Sequence, residues 1–445
     1  MKIKEISKNQ ISLINYLKKE ISLNKKKIKD FSIYDYFYHS NWTQSYGSLK
    51  VKKKFDNGFK FFDYLQSLII LTHQLTIREF NKYHIIEDIK NYDDIKNLII
   101  TYTNNDELKK KVFKNKLFNI SPSNLKSSLC LAINFDFATN KNYKHHKNTI
   151  LINKKRDNYL FNISFYLILL KNFFYIILRK KKTFDKSFYE ILDNVCHSIF
   201  KNYKIKNVYM IYESQPHQHY LIKNFRYLNK DLSISGYLHS SLPSMPIDFL
   251  YKNFEPNILM INGVEQKKIL NKNLGWPKTK LKVINSFRYK KEKKERYLNK
   301  IFLPYSINNE KKLVALFSSL FLSKENNIYP TFDVKNHPFM GKGRKHVRLF
   351  SQLNEIQKKI KKKNLVKNKL TIVFGVSASI LEILEHGIDV INICENEFFE
   401  PHNEKIWQSI RVKKINKNIF KYSLKKKGSI IKFGVKNEFI KNFNV

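Results

Sequence analysis

The 445-residue chain carries 83 lysines and arginines against 37 acidic residues, a formal charge of +46, and 42% of its residues are apolar. That apolar share excludes wholesale disorder, and the length suits two α/β domains, each with its own core. Lysine far outnumbers arginine and is scattered along the whole chain, so the charge reads as lysine filling solvated positions, with attraction to an anionic membrane face or glycan as its consequence and a nucleic-acid-binding protein as the rival from another class.

The start, Met1-Lys2-Ile3-Lys4-Glu5, leads into a charged amphipathic pattern, and no signal peptide is expected. Residues 1–30 predict a lysine-rich helix with Ile11, Leu13, Ile14, Leu17 and Ile21 on its apolar side. Residues 34–46, with His39, Asn41, Trp42 and Gln44, read either as an ordered surface loop or as part of an acceptor pocket. Residues 58–82 predict a long, largely buried helix built on Phe61, Phe62, Leu65, Leu68, Ile69, Leu71 and Leu75. Strand-like runs follow at 97–101, 129–134 and 149–152, separated by lysine-rich connections. Residues 160–178 are the most apolar stretch, followed directly by Arg179-Lys180-Lys181-Lys182. Lys171, with Asn162, Ser164 and Asn172, argues against a membrane span, because a lysine at mid-depth is costly. A buried core helix fits the stretch, and so does a helix lying on a membrane surface with its basic end on anionic headgroups. Residues 185–202 make a second amphipathic helix. Cys130, Cys196 and Cys394 lie far apart in apolar runs, as buried free thiols in a reducing cytoplasm would.

From residue 207 the pattern becomes regular: strand 208–212, helix 216–226, strand 233–239, strand 257–261, helix 264–273 and strand 281–285. This alternation predicts a parallel sheet with helices on both faces. The charged run 290–300 lacks apolar periodicity and is the expected linker. A second alternation is expected from a strand at 313–317. It continues through a β-prone run ending in Lys335, His337 and Pro338, then a strand at 370–374, the turn Gly375-Val376-Ser377-Ala378-Ser379, a helix through Glu382 and Glu385 to Gly387, and a strand at 390–393. Serine hydroxyls would cap that helix, and its first N–H groups would point out of the carboxyl end of the strand, where an open parallel sheet binds ligands and a phosphate is well placed. Glu395 and Glu397 admit a glycosidase pair, though nothing else in the chain supports one. No Asp-x-Asp metal motif occurs anywhere.

Lys335-x-His337-Pro338, followed by Ser377-x-Ser379-x-x-Glu382-x-x-x-x-Gly387, resembles the C-terminal nucleotide-binding domain of GT-B glycosyltransferases. It is most similar to the branch that builds bacterial surface polysaccharides, including capsule, O-antigen and polysialic-acid transferases and related glycerophosphotransferases. Tyr212-Glu213-Ser214-Gln215-Pro216-His217 and Gly236-Tyr237-Leu238-His239-Ser240 resemble that branch's first domain.

The resemblance implies an α/β protein of two doubly wound, Rossmann-like domains facing a cleft, with an irregular helical N-terminal part. Residues 1–295 would form the acceptor side, with its core at 205–290, and residues 301–420 the nucleotide-sugar side. Residues 421–445 would cross back. Lys335, His337 and Pro338, with Ser377 and Ser379, would hold the donor phosphate without a metal or other cofactor, and Glu382 would meet the ribose. Glu213 would be the base, and His239, its competitor, an acceptor or phosphate contact. Gln215, His217, Asn262 and Arg288 are further substrate contacts. The expected activity is inverting transfer from a nucleotide sugar, a CMP-sugar among the options, to a surface glycan or lipid-linked acceptor. The expected place is cytoplasmic, peripheral at the inner membrane, with no nucleic acid bound. The rivals are a CDP-polyol phosphotransferase on the same fold, a polysaccharide-assembly factor without activity, and the nucleic-acid binder.

Overall fold

A computed structural model describes residues 3–24, 61–80, 82–88, 95–108, 113–122, 125, 127–137, 148–155, 163–177, 186–250, 252, 254–304, 307–322, 332–336, 343–359, 370–435 and 439. The chain is α/β, with two mixed sheets of eight and six strands. This architecture is compatible with two Rossmann-like units.

The first sheet is built from β1 (Lys82–Asp88), β2 (Asn97–Thr103), β3 (Ser128–Phe137), β4 (Thr149–Lys155), β5 (Asn207–Ile211), β6 (Ser233–Tyr237), β7 (Ile258–Ile261) and β8 (Leu281–Val283), in the order β1-β4-β3-β2-β5-β6-β7-β8. Only the β1–β4 pairing is antiparallel. Consecutive apolar residues in β2 and β3, Leu98–Ile100 and Leu129–Ile133, are buried on both faces, as strands inside a covered parallel sheet must be. The chain builds outward from β2 to β4 on one side and from β5 to β8 on the other, so the winding reverses between β2 and β5. The carboxyl ends of two strands at such a reversal frame a crevice. The segment before residue 200 is therefore not an irregular helical appendage, because it supplies half of this sheet. β1 is not among the expected elements: the predicted helix reaches Lys82, and no element is predicted over the rest of the strand.

Around the sheet lie α1 (Ile3–Asn24), α2 (Phe61–Phe80), α3 (Ile163–Ile177), α4 (Lys186–Asn202), α5 (Pro216–Leu228) and α6 (Val264–Lys268), the last running on as a π-helical turn to Asn273. α1 buries Ile6, Leu13, Ile14 and Leu17, while α4 buries Phe188, Leu192, Val195, Cys196 and Ile199, each set at helical spacing on one face. α2 is not largely buried, because Phe61, Phe62, Leu65 and Ile69 are exposed. α3 is not a core helix either, since its apolar residues Ile163, Leu167, Leu170 and Phe174 face outward. Among the described residues no helix is long and apolar enough to cross a membrane. Cys130, Cys196 and Cys394 are buried free thiols, and burial pushes the Cys130 thiol up to about 12.

The second unit runs β9 (Lys300–Phe302), α7 (Glu310–Leu322), β10 (Asp333–Lys335), α8 (Arg344–Lys359), β11 (Leu370–Phe374), α9 (Ser379–Glu385), β12 (Asp389–Ile393), β13 (Ile410–Asn416) and β14 (Ile419–Leu424). Its strand order is β10-β9-β11-β12-β14-β13, parallel through β12 and antiparallel beyond. The alternation thus begins at β9, directly at the end of the expected linker, and residues 313–317 are helix rather than strand. Leu313, Phe317 and Leu320 are buried at helical spacing, which a five-residue apolar window cannot distinguish from a strand.

After β14 the chain returns to the first unit. The Lys432 N–H donates to the Asn262 carbonyl at 2.6 Å, the Ser286 N–H to the Lys432 carbonyl at 2.8 Å, and the Gly434 N–H to the Tyr289 carbonyl at 2.9 Å. A Cβ on Gly263 would lie 1.8 Å from the Ile430 carbonyl oxygen, so only glycine allows this approach. Ser244 joins the units again, donating from Oγ to the Phe399 carbonyl and accepting Trp407 Nε1–H at its own carbonyl, both at 3.2 Å. Gln10 of α1 donates to the Phe398 carbonyl at 2.8 Å, and one apolar cluster runs through both units.

Candidate functional site

β5 ends at Ile211, and the chain turns through Tyr212, Glu213, Ser214 and Gln215 into α5. Ser214 adopts φ 59°, a left-handed conformation uncommon outside glycine, and its buried Oγ lies 3.0 Å from His219 Nε2. Gln218 closes the turn. Its Oε1 accepts the N–H groups of Glu213 at 2.8 Å and Gln215 at 2.9 Å, and its Nε2 donates to the Ile211 carbonyl at 2.9 Å. The Tyr102 hydroxyl, from the carboxyl end of β2, lies 2.5 Å from Gln218 Nε2 and 2.8 Å from His217 Nε2. One network therefore ties together the two strands that flank the reversal, and it fixes the backbone of Glu213.

The Glu213 side chain is half-buried. Its Oε1 accepts the Ser240 hydroxyl at 2.8 Å and lies 3.5 Å from His239 Nδ1, without the geometry of a hydrogen bond. Burial pulls the His239 imidazole down to about 4, so it is neutral near neutral pH. Asp248 lies in the single turn Ile247–Leu250 that links β6 to β7. Burial, with the nearby charge of Glu213, holds its carboxyl well above the usual carboxylate range. Buried polar atoms without hydrogen-bond partners gather in the segments leaving β6 and β7: His239 Nδ1, Ser241 Oγ, Asp248 Oδ1 and Asn262 Oδ1.

Arg288 follows β8, with its guanidinium carbon 5.2 Å from the centre of the Tyr289 ring and its backbone N–H donating to the Tyr237 hydroxyl at 3.3 Å. Tyr289 first, then Glu382, Tyr237 and Glu213, hold its pKa above the ordinary value, so this one cation lies within electrostatic reach of a carboxylate from each unit.

On the second unit, Gly375 turns out of β11 at φ 64°, and Ser377 Oγ accepts the Ser379 N–H at 3.2 Å. The helix cap is Ala378, not a serine, and α9 is only seven residues long. Glu382, half-buried, accepts the Tyr297 hydroxyl at 2.8 Å. Burial raises its carboxyl pKa, and Tyr297, Arg288 and Arg296 oppose that rise. The Tyr297 ring in turn stacks on His386 with centroids 4.7 Å apart. Gly387 ends the helix at φ 75°.

The structure thus brings Glu213, His239, Arg288 and Glu382 into one neighbourhood, with Gln215 and His217 in the supporting turn. Lys335 instead pairs with Asp333 at 2.7 Å, both side chains half-exposed on the edge strand β10, beside the Lys300–Asp333 pair at 2.8 Å. Asn262 pins β7 to β6 by donating to the Leu238 carbonyl at 3.0 Å. Burial favours the neutral ring of His239. Glu395 and Glu397 form no paired site: Glu395 accepts the N–H groups of Asn308 and Asn309 ahead of α7, and Glu397 pairs with Lys414. His337, Pro338 and the 34–46 segment lie outside the described residues. Sequence reasoning missed Tyr102, Asp248 and Tyr297. Asp248 alone carried a signal, a lone carboxylate inside the apolar run Pro246-Ile247-Asp248-Phe249-Leu250. No protein-family model matches the chain and no curated protein matches it by sequence, which leaves the fold and this crevice as the grounds for function.

Proposed function

We propose that the protein is a glycosyltransferase of the GT-B type that moves a sugar from a nucleotide donor to a bacterial surface glycan or its lipid-linked precursor, without a metal and with inversion. The observation that carries this reading is Glu213 at the carboxyl end of β5, its Oε1 accepting the Ser240 hydroxyl at 2.8 Å and lying 3.5 Å from His239 Nδ1, with Arg288 feeling the charge of both Glu213 and Glu382. Glu213 takes the proton of the acceptor hydroxyl, whose oxygen forms the new bond to the anomeric carbon. The bond from that carbon to the phosphate oxygen breaks, and the nucleotide leaves with the electron pair. Arg288 offsets the charge that develops on the leaving phosphate. Ser377, Ser379 and the turn after β11 bind the nucleotide side, and Glu382, oriented by Tyr297, meets its ribose. The absence of an Asp-x-Asp sequence and the presence of a cation in the crevice support a metal-independent route.

A thermal-shift screen against CMP, CDP, UDP, GDP and ADP tests the reading, because a ligand of the native state raises Tm by mass action. One nucleotide stabilising the protein, with the effect lost in Arg288→Met and in His337→Ala, is expected. A glycoside product from the matching nucleotide sugar completes the case, whereas a phosphodiester from a CDP-polyol would replace it with the phosphotransferase. No shift with any nucleotide, together with salt-sensitive binding to oligonucleotides, would sink it.

A further inference from the structure

α3 is amphipathic in the wrong sense for a helix that packs on a core. Ile163, Tyr166, Leu167, Leu170 and Phe174 recur at three- and four-residue spacing, and each is more than half exposed. The opposite face is the one that packs. Phe165 is buried with its ring 6.0 Å from His73 of α2, and buried Asn172 donates to Thr76 Oγ1 at 3.1 Å. α2 extends the outward surface with Phe61, Phe62 and Ile69, also more than half exposed, and Leu65, exposed by over a third. Scattered apolar side chains on a surface are ordinary, but nine large ones on two packed helices are not.

We infer that this α2–α3 face lies in the interfacial layer of an anionic lipid bilayer. The 15 residues of α3 span about 22 Å, short of the ~30 Å hydrocarbon core, so the helix lies along the surface rather than through it. Its apolar stripe enters the headgroup–acyl boundary, where the Tyr166 and Phe174 rings are at home. Charge selects the partner. A second copy would bring two chains of formal charge +46 together, whereas an anionic leaflet attracts them. Lys171 is exposed on the same helix, and in sequence Lys52-Lys53-Lys54 precedes α2 and Arg179-Lys180-Lys181-Lys182 follows α3.

The test is flotation of the full chain with vesicles of phosphatidylcholine alone or mixed with phosphatidylglycerol, beside the doubly substituted Leu167→Glu/Leu170→Glu chain. The wild type is expected to float with the anionic vesicles, less so at high salt, and the variant to bind at least about tenfold more weakly while keeping its thermal melt. Leu167→Trp provides a second readout, with a blue shift of its emission expected on adding anionic vesicles. No flotation, no blue shift, equal binding by the glutamate variant, or a vesicle-indifferent dimer that the variant abolishes would each overturn the inference. None of these measurements uses a nucleotide, so their failure leaves the transferase reading standing, and the reverse also holds.

Discussion

In the segments leaving β6 and β7, buried polar atoms of His239, Ser241, Asp248 and Asn262 go without partners; on the α2–α3 pair, Ile163, Leu167, Leu170 and Phe174 are exposed. Each arrangement costs the isolated chain free energy. An unpaired buried polar atom costs about 1–3 kcal/mol, and an exposed leucine forgoes about 1.5–3 kcal/mol of burial. The two costs call for different relief. The crevice needs a polar ligand that supplies hydrogen bonds, and the helical face needs an apolar medium. A protein can carry both only if they are far enough apart in kind that neither partner satisfies the other's site.

The sharpest way to break the comparison is at Glu213. Glu213→Gln keeps an acceptor for the Ser240 hydroxyl while removing the base, so transfer is expected to fall by about 10²–10⁴-fold with the melt nearly unchanged. A product assay that finds less than a tenfold loss would take Glu213 out of the chemistry and reduce it to part of the turn.

His239 gives the next largest effect, and it reads in stability rather than rate. Its native pKa of about 4 lies below the ordinary 6.5, so between those values the unfolded chain binds the extra proton and the native state does not. Stability contributed by the neutral, buried ring is therefore present above pH 6.5 and is lost as pH falls towards 4, by up to about 3 kcal/mol. His239→Gln is expected to flatten that part of the profile in urea denaturation at about pH 7 and about pH 5. His219, also near 4 through burial, contributes a similar slope and stays in both proteins, so the difference between them isolates His239.

Asp248 runs the other way. Burial raises its native pKa above the unfolded value, so the native state holds its proton more tightly, and stability is lost as pH rises through the native pKa. Asp248→Asn is expected to raise stability by about 1 kcal/mol near neutral pH, with the two melting curves converging in acid. If Asp248 serves the crevice, the same variant turns over more slowly. A gain in both stability and turnover would mark it as an incidental buried acid.

Much of this arrangement was legible because it is local. The strand–turn–helix at Glu213 and Gln215, the strand that ends two residues before His239, and the glycine-serine turn after β11 each announce themselves within a dozen residues. Contacts made at long range were not legible. Nothing near Glu382 points to Tyr297, 85 positions earlier, and nothing near Glu213 points to Tyr102, whose hydroxyl reaches the same turn from β2. Periodicity also has no sign. It located the stripe on α3 but not whether the stripe faces the core or the surroundings, and a separate ambiguity, a five-residue apolar window that fits helix and strand alike, turned α7 into an expected strand.

The smallest expected effect concerns what Glu382 is for. Tyr297→Phe removes one hydroxyl and leaves the ring stacked on His386, so it withdraws a single hydrogen bond from a half-buried carboxylate. Such a bond contributes about 1–2 kcal/mol, so a modest loss of Tm is expected whatever the role of Glu382. The informative quantity is the nucleotide-induced shift. With Tyr297 gone, burial acts on Glu382 with less opposition, its carboxyl is more readily protonated, and a ribose hydroxyl loses a charged acceptor. If Glu382 binds the donor, the shift shrinks by more than the loss of Tm and does so most at low pH. An unchanged shift at every pH would make the Tyr297–Glu382 bond a strut that holds α9 to the segment leading into β9, and would take Glu382 out of the donor site.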